Sequence, residues 1–561
     1  MQQRVLYAPR QPSPPGPDVA GDLPRYRKWA AERAVLRAQV PPSAVPHARG
    51  DRLDLLLVLE DPAAPELEQC LRAVHGQTCG DWHLTVVVPE DAGREVVRVL
   101  RRSARRLHRC CTVISTVQRG QAAGADLAFE RSSAPLVCLL GQGDQLAPDA
   151  VALLLYAADG ADIAYGDEDA LDERGQLIAP VLKPDWSPEF LRSWPYLGRP
   201  VAVRRELVSA AGGFRSETAE DWEHEYLSRV GTHASVVAHL SEVLVHRGQP
   251  VGPTTPFGTA ATGAARPPEP VLRPSGRPAV SVIVPFRDEP QFLRTCIDTV
   301  TATSGSVPFE IVLVDNGSVE PETASLVERL EGRPDITVLR DDRPFNWAAL
   351  NNAAVEVACG ELLLFLNNDV AACATGWLDA MYAAAHHPAV AAVGARLCYP
   401  GGSVQHAGIV VGLGGAAGHL LAGLPAGDPG YLGMVERRRE VSAVTGACLL
   451  TRRSVFDQLA GFDESLGVDL NDVDFCLRAR REGFRILYEP AATLIHLESP
   501  SRGTSGSRSD INRFIERWQQ LLADGDPYLH PHLTRVHSSC SLAEPDEDEW
   551  WQAWRSTLRM S

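Results

Sequence analysis

The chain repeats itself, and that constrains its fold more than any single motif. Arg204-Arg205 followed by Gly213-Phe214 returns as Arg452-Arg453 followed by Gly461-Phe462, each pair 248 positions on. Glu220-Asp221-Trp222-Glu223 returns as Asn471-Asp472-Val473-Asp474, 251 positions on. A histidine closes each half: His246 lies 25 positions after Asp221, and His496 lies 24 after Asp472. Matches that keep their order at near-constant spacing read as a duplicated domain, so each half must build its own core.

Within the second half, β-rich runs at 280–285, 309–314, 336–339 and 361–366 alternate with helical periods at 290–303, 322–330 and 347–358. Strand–helix alternation of this length predicts an α/β fold with a mostly parallel, doubly wound, Rossmann-like sheet. The first half repeats the scheme, with early strands expected at 53–59 and 84–88. Residues 1–50 read as a Pro-rich leader with one short helix at 24–40, and the Pro-, Gly- and Thr-rich stretch 248–278 as a linker between domains at 51–247 and 279–500. A further helix at 511–523 and an acidic tail bearing Trp550, Trp551 and Trp554 make up a C-terminal region, 501–561.

A length of 561 residues implies two to three domains, and 45% hydrophobic with 22% charged residues is the composition of a globular protein. A net charge of −17 argues against a general nucleic-acid binder, which would need a basic face to neutralise phosphates. It leaves room for a nucleotide, which a bound cation and helix N-termini can hold locally. The only lysines, Lys28 and Lys183, read as codon bias toward arginine. Twelve cysteines without a CxxC pair are expected to be reduced thiols. With no apolar run of spanning length and no signal core, a cytoplasmic location is expected. The tryptophan tail would allow peripheral membrane contact, against which Asp546, Glu547, Asp548 and Glu549 weigh.

Chemistry gathers where apolar runs end. The run 361–366 stops at Asn367-Asn368-Asp369, and strand carboxyl ends are where an open α/β sheet holds ligands. Oxygen donors there suit a hard divalent cation, Mn²⁺ or Mg²⁺, that also carries phosphate oxygens. Asp315-Asn316-Gly317-Ser318 ends another run, where an Asp can accept hydrogen bonds from a base or a ribose. Pro285-Phe286-Arg287-Asp288 ends the first, and its loop can lie along a nucleobase. Asp472 and Asp474 fall in the first turn of an expected helix at 473–482, with His496 beyond. Together these point to metal-assisted transfer from a nucleotide-activated donor.

The stretches VSVIVPFRDEP, EIVLVDNGS, FNWAALNNAAVEVACGELLLFLNNDV, VTGACLLTRRSVFDQLAGFDE and LNDVDFCLRARREGFRILYEPAATLIH resemble the inverting, GT-A-fold glycosyltransferases of family 2, in particular tandem-domain bacterial enzymes of surface polysaccharide synthesis. The resemblance implies two GT-A-like domains, a nucleotide-diphosphate sugar as donor and a saccharide, lipid-linked in some members, as acceptor. It implies that Asp472 is the general base, that Asp369, His496 and Asn367 hold the metal, and that Pro285, Phe286, Asp288, Asp315, Asn316, Asn352 and Asn368 meet the nucleotide sugar. Trp347, Gly446, Ala447 and Asp474 would wall the acceptor pocket, with Asp474 also free to pair with Arg478 one turn on.

The first half is expected to keep the fold and lose the chemistry. Gly141-Gln142-Gly143 stands where the second half has Asn367-Asn368-Asp369, Asp144 falls one position late, and Pro89-Glu90-Asp91 replaces the nucleotide turn. Asp221, His246 and the acidic segment Asp167-Glu168-Asp169 persist. Two competing readings remain at this point: a binding scaffold of two inactive folds, and a nucleotidyltransferase, which would want a Gly-rich basic loop that 284–289 does not supply.

Overall fold

The computed structural model describes residues 18–40, 52–60, 64–107, 110–117, 120–214, 222–248, 278–497, 507–545 and 547. They fall into two units. The N-terminal unit comprises the described parts of 17–257 together with Leu529–His532; the C-terminal unit comprises those of 258–528 and 533–561.

The N-terminal unit is built on strands β1 (Leu53–Val58), β2 (Trp82–Pro89), β3 (Cys111–Thr116), β4 (Leu136–Leu140), β5 (Gln145–Leu146), β6 (Ile163–Leu171), β7 (Leu177–Val181), β8 (Val201–Arg204) and β9 (Val237–Arg247). Their order in the sheet is β3-β2-β1-β4-β8-β6-β9-β5, with β7 beside β6. The C-terminal unit has β10 (Val280–Phe286), β11 (Phe309–Asp315), β12 (Ile336–Arg340), β13 (Leu362–Leu366), β14 (Val370–Ala372), β15 (Val390–Cys398), β16 (Val404–His406), β17 (Ile409–Val411), β18 (Ala417–His419), β19 (Arg439–Glu440), β20 (Cys448–Arg452) and β21 (Arg485–His496). Its order is β12-β11-β10-β13-β20-β15-β21-β14, the same path strand for strand. β17 and β18 form a separate hairpin.

The central strands are covered on both faces, which is why they read as unbroken apolar runs. Every residue of Leu362–Leu366 and of Val280–Phe286 is buried, and the C-terminal core gathers Val282, Val284, Leu313, Leu364, Trp377 and Leu450. Helix ends follow local chemistry. Pro290 opens the helix Pro290–Thr303 at a position where its missing N–H costs nothing, and the Asn346 side chain caps Trp347–Val357 by accepting the Ala349 N–H. The helices Leu23–Ala38, Pro321–Glu331, Asn471–Arg481 and Arg508–Asp524 fall within a few residues of their expected places.

The sheets are more mixed than the strand–helix alternation suggested. β12-β11-β10-β13 run parallel, but β20 is antiparallel to both β13 and β15, and β14 is antiparallel to β21. β20 can be reversed because it is reached through a long excursion, 399–447, rather than a single crossover helix. The leader before residue 18, nearly all of the linker and the tryptophans of the tail lie outside the described residues. Among the described residues no helix is long and apolar enough to cross a membrane.

Candidate functional site

In the C-terminal unit the expected residues converge at the carboxyl ends of β10, β11 and β13. The turn from β13 into β14 carries Asn367, Asn368 and Asp369, and β14 pairs with the end of β21 so that Val370 faces His496. The Leu497 N–H donates to the Asp369 carbonyl at 2.9 Å, which locks this corner. Asp369 Oδ1 then lies 3.1 Å from His496 Nε2, and His496 Nδ1 lies 2.7 Å from the Gln405 side-chain oxygen. A neutral ring that donates from Nδ1 to Gln405 turns its Nε2 lone pair toward a carboxylate. Two lone pairs that close require a proton or a cation between them. A six-coordinate cation about 2.1 Å from each ligand sets neighbouring donors roughly 3 Å apart, so the pair fits such an ion. Asn367 is largely buried, and one lone pair of its Oδ1 accepts the Trp347 indole N–H at 3.3 Å, leaving the other for a ligand.

The helix Asn471–Arg481 carries Asp472 in its first turn, beside Gly446. Its Oδ2 accepts the Gly446 N–H at 2.6 Å and its Oδ1 the Val473 N–H at 2.8 Å. Burial raises the carboxyl above its usual range, while those N–H groups and the charge of His419 pull it back. Gly446 has no room for a side chain, since a Cβ would sit 2.7 Å from the Trp347 ring and 3.4 Å from Asp472 Cβ. Trp347, packed on Phe462 with ring centroids 4.9 Å apart, thus forms one wall, with Ala447 beside it.

Asp474 is corrected. It is fully buried and saturated by Arg478 Nε at 2.7 Å, Arg517 Nη1 at 2.8 Å and Trp518 Nε1 at 3.0 Å. It braces the Asp472 helix against the helix Arg508–Asp524 rather than lining a pocket, and the predicted pairing with Arg478 is present.

The nucleotide end is assembled as a rigid corner. Phe286 pairs with Asp315 across β10 and β11. Asp315 accepts from the Ser318 N–H and from Arg340 Nη1, both at 2.8 Å. Asn316 donates to the carbonyls of Asp341 and Arg343, each at 2.8 Å. Asp288 accepts the N–H groups of Val319 and Glu320, so its carboxylate fixes the loop after β11. Pro285 is buried within β10, and Asn368 is half-buried at the β13–β14 turn. Asn352 does not join them. Its amide is spent on both backbone groups of Phe462 and on Glu464, which holds the loop before the Asp472 helix.

Two contributors were missed from the sequence. Gln405 on β16 orients His496, and His419 on β18 bears on Asp472 while its Nδ1 lies 3.0 Å from the Gln405 carbonyl oxygen. The signal was available: Gln405, His406 and His419 interrupt an otherwise small and apolar stretch. That hairpin is held from the C-terminal region, where Asp526 accepts the Val411 N–H at 2.7 Å and the Ser538 carbonyl accepts the Leu421 N–H at 2.7 Å.

Two equivalences drawn for the first half shift in the structure. Gln145 faces His246 as Val370 faces His496, so Asp144 directly precedes β5 as Asp369 precedes β14. The turn after β4 absorbs the extra residue, and Asp144 is not out of place. Arg229 donates to the carbonyls of Ala211 and Gly213 as Arg478 does to those of Leu459 and Gly461. Trp222 and Asn471 are the first residues of their helices, so Glu223, not Asp221, stands where Asp472 does. Asp221 itself lies outside the described residues.

Asp167, His239 and His530 form a group whose polar atoms lie within 4.8 Å of one another. His530 Nδ1 accepts the His532 N–H, which leaves the proton on Nε2 facing Asp167 at 2.7 Å. His239 sits between Asp167 at 3.1 Å and Asp185 at 2.9 Å, and although burial opposes its charge, these carboxylates hold its pKa above the usual value.

A model described as "Glycosyl transferase family 2" matches residues 281–460, and one described as "Glycosyltransferase like family 2" matches 423–519. O-antigen biosynthesis protein RfbC of Myxococcus xanthus is 35% identical over 96% of this chain and 44% of its own length. Uncharacterized protein y4gI of Sinorhizobium fredii is 31% identical over 92% of this chain and 62% of its own. N-acetylglucosaminyl-diphospho-decaprenol L-rhamnosyltransferase of Mycobacterium tuberculosis is 26% identical over 45% of this chain, matching 79% of that enzyme. This chain therefore spans about half the length of the first two relatives. A solved mannosyltransferase from Pyrobaculum calidifontis overlaps at 18% identity over 51% of this chain and 75% of its own, with a TM-score of 0.31, too slight to bear on ligands. Motifs and these sequence matches agree: the chain belongs to glycosyltransferase family 2.

Proposed function

We propose that the C-terminal unit transfers one sugar, with inversion, from a nucleotide-diphosphate donor to a saccharide acceptor, lipid-linked or free, in the synthesis of a surface polysaccharide. The kinship with an O-antigen biosynthesis protein supports the pathway class, and the work would take place on the cytoplasmic side of the membrane. The observation that carries the reading is the Asp369–His496–Gln405 chain, joined at the Gln405 carbonyl by His419, whose charge bears on the half-buried carboxylate of Asp472.

Asp472 takes the proton from the acceptor hydroxyl as that oxygen attacks the anomeric carbon, and a pKa raised by burial makes it the stronger base. A single displacement inverts the centre and needs no protein nucleophile. Asp315 and Asn316 receive the nucleoside, and Trp347 with Gly446 walls the side from which the acceptor enters. A divalent cation, Mn²⁺ or Mg²⁺, held by Asp369 and His496 with Asn367 beside them, would neutralise the charge that builds on the departing diphosphate.

The test is a panel of UDP-, dTDP- and GDP-sugars read by thermal shift with and without Mn²⁺, followed by nucleoside diphosphate release. One donor should raise the melting temperature in the presence of the cation, because it binds only the folded state. A panel in which no donor shifts the melt or is turned over would favour a binding scaffold instead.

A further inference from the structure

We infer that the N-terminal unit keeps its cleft as a saccharide-binding site that needs no metal ion, with the Arg199 guanidinium standing where the C-terminal unit would place its cation. The roles proposed for Asp369 and Asp472 serve only to name what Arg199 replaces; the binding is read in the N-terminal unit alone.

Arg204 faces Leu136 as Arg452 faces Leu362, so Gly198 and Arg199 occupy the places of Gly446 and Ala447. From there Arg199 Nη1 donates to Asp144 at 2.9 Å and Nε to Glu223 at 3.1 Å, with Nη2 also on Glu223. These are the carboxylates equivalent to Asp369 and Asp472. One fixed cation therefore holds both groups that the other unit leaves for a metal and an acceptor.

The exchange is built into the surroundings. Gly141 occupies the place of Asn367, and a Cβ there would lie 2.0 Å from Arg199 Nη1. The missing side chain makes room for the guanidinium. Behind it, the fully buried Lys183 donates to the Arg199 carbonyl at 2.9 Å, and Glu168, paired with Lys183 at 3.2 Å, accepts the Arg199 N–H at 2.5 Å. Arg199 is thus gripped at its backbone and at its head.

Its cleft of about 400 Å³ remains open at the strand ends, lined among others by Leu56, Val58, Gln121, Gln142 and Trp222. The ligand class follows from charge. Among the described residues of the lining, the four carboxylates Glu60, Glu66, Asp144 and Glu223 outnumber the two guanidiniums Arg199 and Arg247, a balance that disfavours a diphosphate. The nucleoside corner is gone as well, because Val88 stands in the register position of Asp315. Amides, ion-pair edges and an indole remain, which together suit the hydroxyls and the apolar face of a neutral sugar.

The experiment uses the full chain in EDTA on a printed array of neutral bacterial oligosaccharides. Wild type should retain at least one of them, and UDP or GDP should not displace it. Arg199→Ala and Gln142→Ala should each weaken that binding by about tenfold or more, the effect of losing a hydrogen bond to a ligand. Asp369→Ala and Asp472→Asn should leave it unchanged while impairing transfer. Melting curves check the fold, and Gln142→Ala, at a half-exposed side chain, carries the test if Arg199→Ala does not fold. Binding that requires Mn²⁺, is lost in Asp369→Ala, or is absent from the wild-type chain overturns the inference.

Discussion

In the proposed transfer, Asp472 and Asp369 do different work, one as base and one as metal ligand. Asp472 gains basicity from desolvation, which outweighs the opposing backbone hydrogen bonds and the charge of His419. Asp472→Asn preserves shape and removes the base, so turnover should fall about 10²- to 10⁴-fold while donor binding holds. Because the base works deprotonated and its pKa is raised, the acid limb of the pH–rate profile should lie above the ordinary carboxylate range. A profile flat down to pH 4 would place the essential proton elsewhere. Asp369→Ala should instead weaken donor binding and remove its dependence on Mn²⁺, seen by calorimetric titration with and without EDTA. Undiminished activity of the metal-free wild-type protein in chelator would rule out the cation. These residues were legible because strand ends and helix first turns fix where side chains point. Gln405 and His419 were not, since they come from a hairpin that sequence periodicity cannot place against the sheet. Glu223 was misread for a similar reason: a two-residue slip is invisible until the Arg229 and Arg478 hydrogen bonds set the register.

At the scale of elements, the cleft depends on what stands behind it. Gly446 joins the strand Cys448–Arg452 to the base through one N–H, with the Trp347 ring packed where a side chain would go. Gly446→Ala forces the buried indole aside, which should cost about 1–3 kcal/mol and disturb Asp472 as well. A lowered melting temperature together with lost turnover is expected; a variant that keeps both would show that the wall yields. Asp474 anchors a different contact. Asp474→Ala strands Arg478, Arg517 and Trp518, and since both guanidiniums reach solvent in part, about 1–3 kcal/mol is expected, visible as a fall in melting temperature. Element positions were readable from periodicity because apolar strands and capped helices are local properties. The reversal of β20 was not, because direction depends on the length and packing of the 399–447 excursion. Lys183, set aside as codon bias, proves to be a buried tether for Arg199, a role that composition cannot reveal.

Across the whole molecule, the two sheets share one strand order, and the exchange of Asn367 for Gly141 falls at a strand end. Gly141 with Arg199 in one copy answers Asn367 with Ala447 in the other, and the guanidinium lies where a Cβ at 141 would sit. The chain after the helix Arg508–Asp524 then contributes to each unit in turn. Asp526 accepts the Val411 N–H beneath the His419 hairpin of the C-terminal unit. His530, in the segment that belongs with the N-terminal unit, donates to Asp167, and residues from Leu533 onward return to the C-terminal unit. Deleting 526–561 should therefore expose backbone amides in two separate places. Hydrogen exchange should rise across 409–419, where Val411 loses its Asp526 acceptor, and across 163–171, where Asp167 would lose a buried donor. Asp526→Ala should reproduce only the first change and His530→Ala only the second. Protection that survives the deletion in both segments would mean that the tail is dispensable, and that each sheet is held by its own core alone.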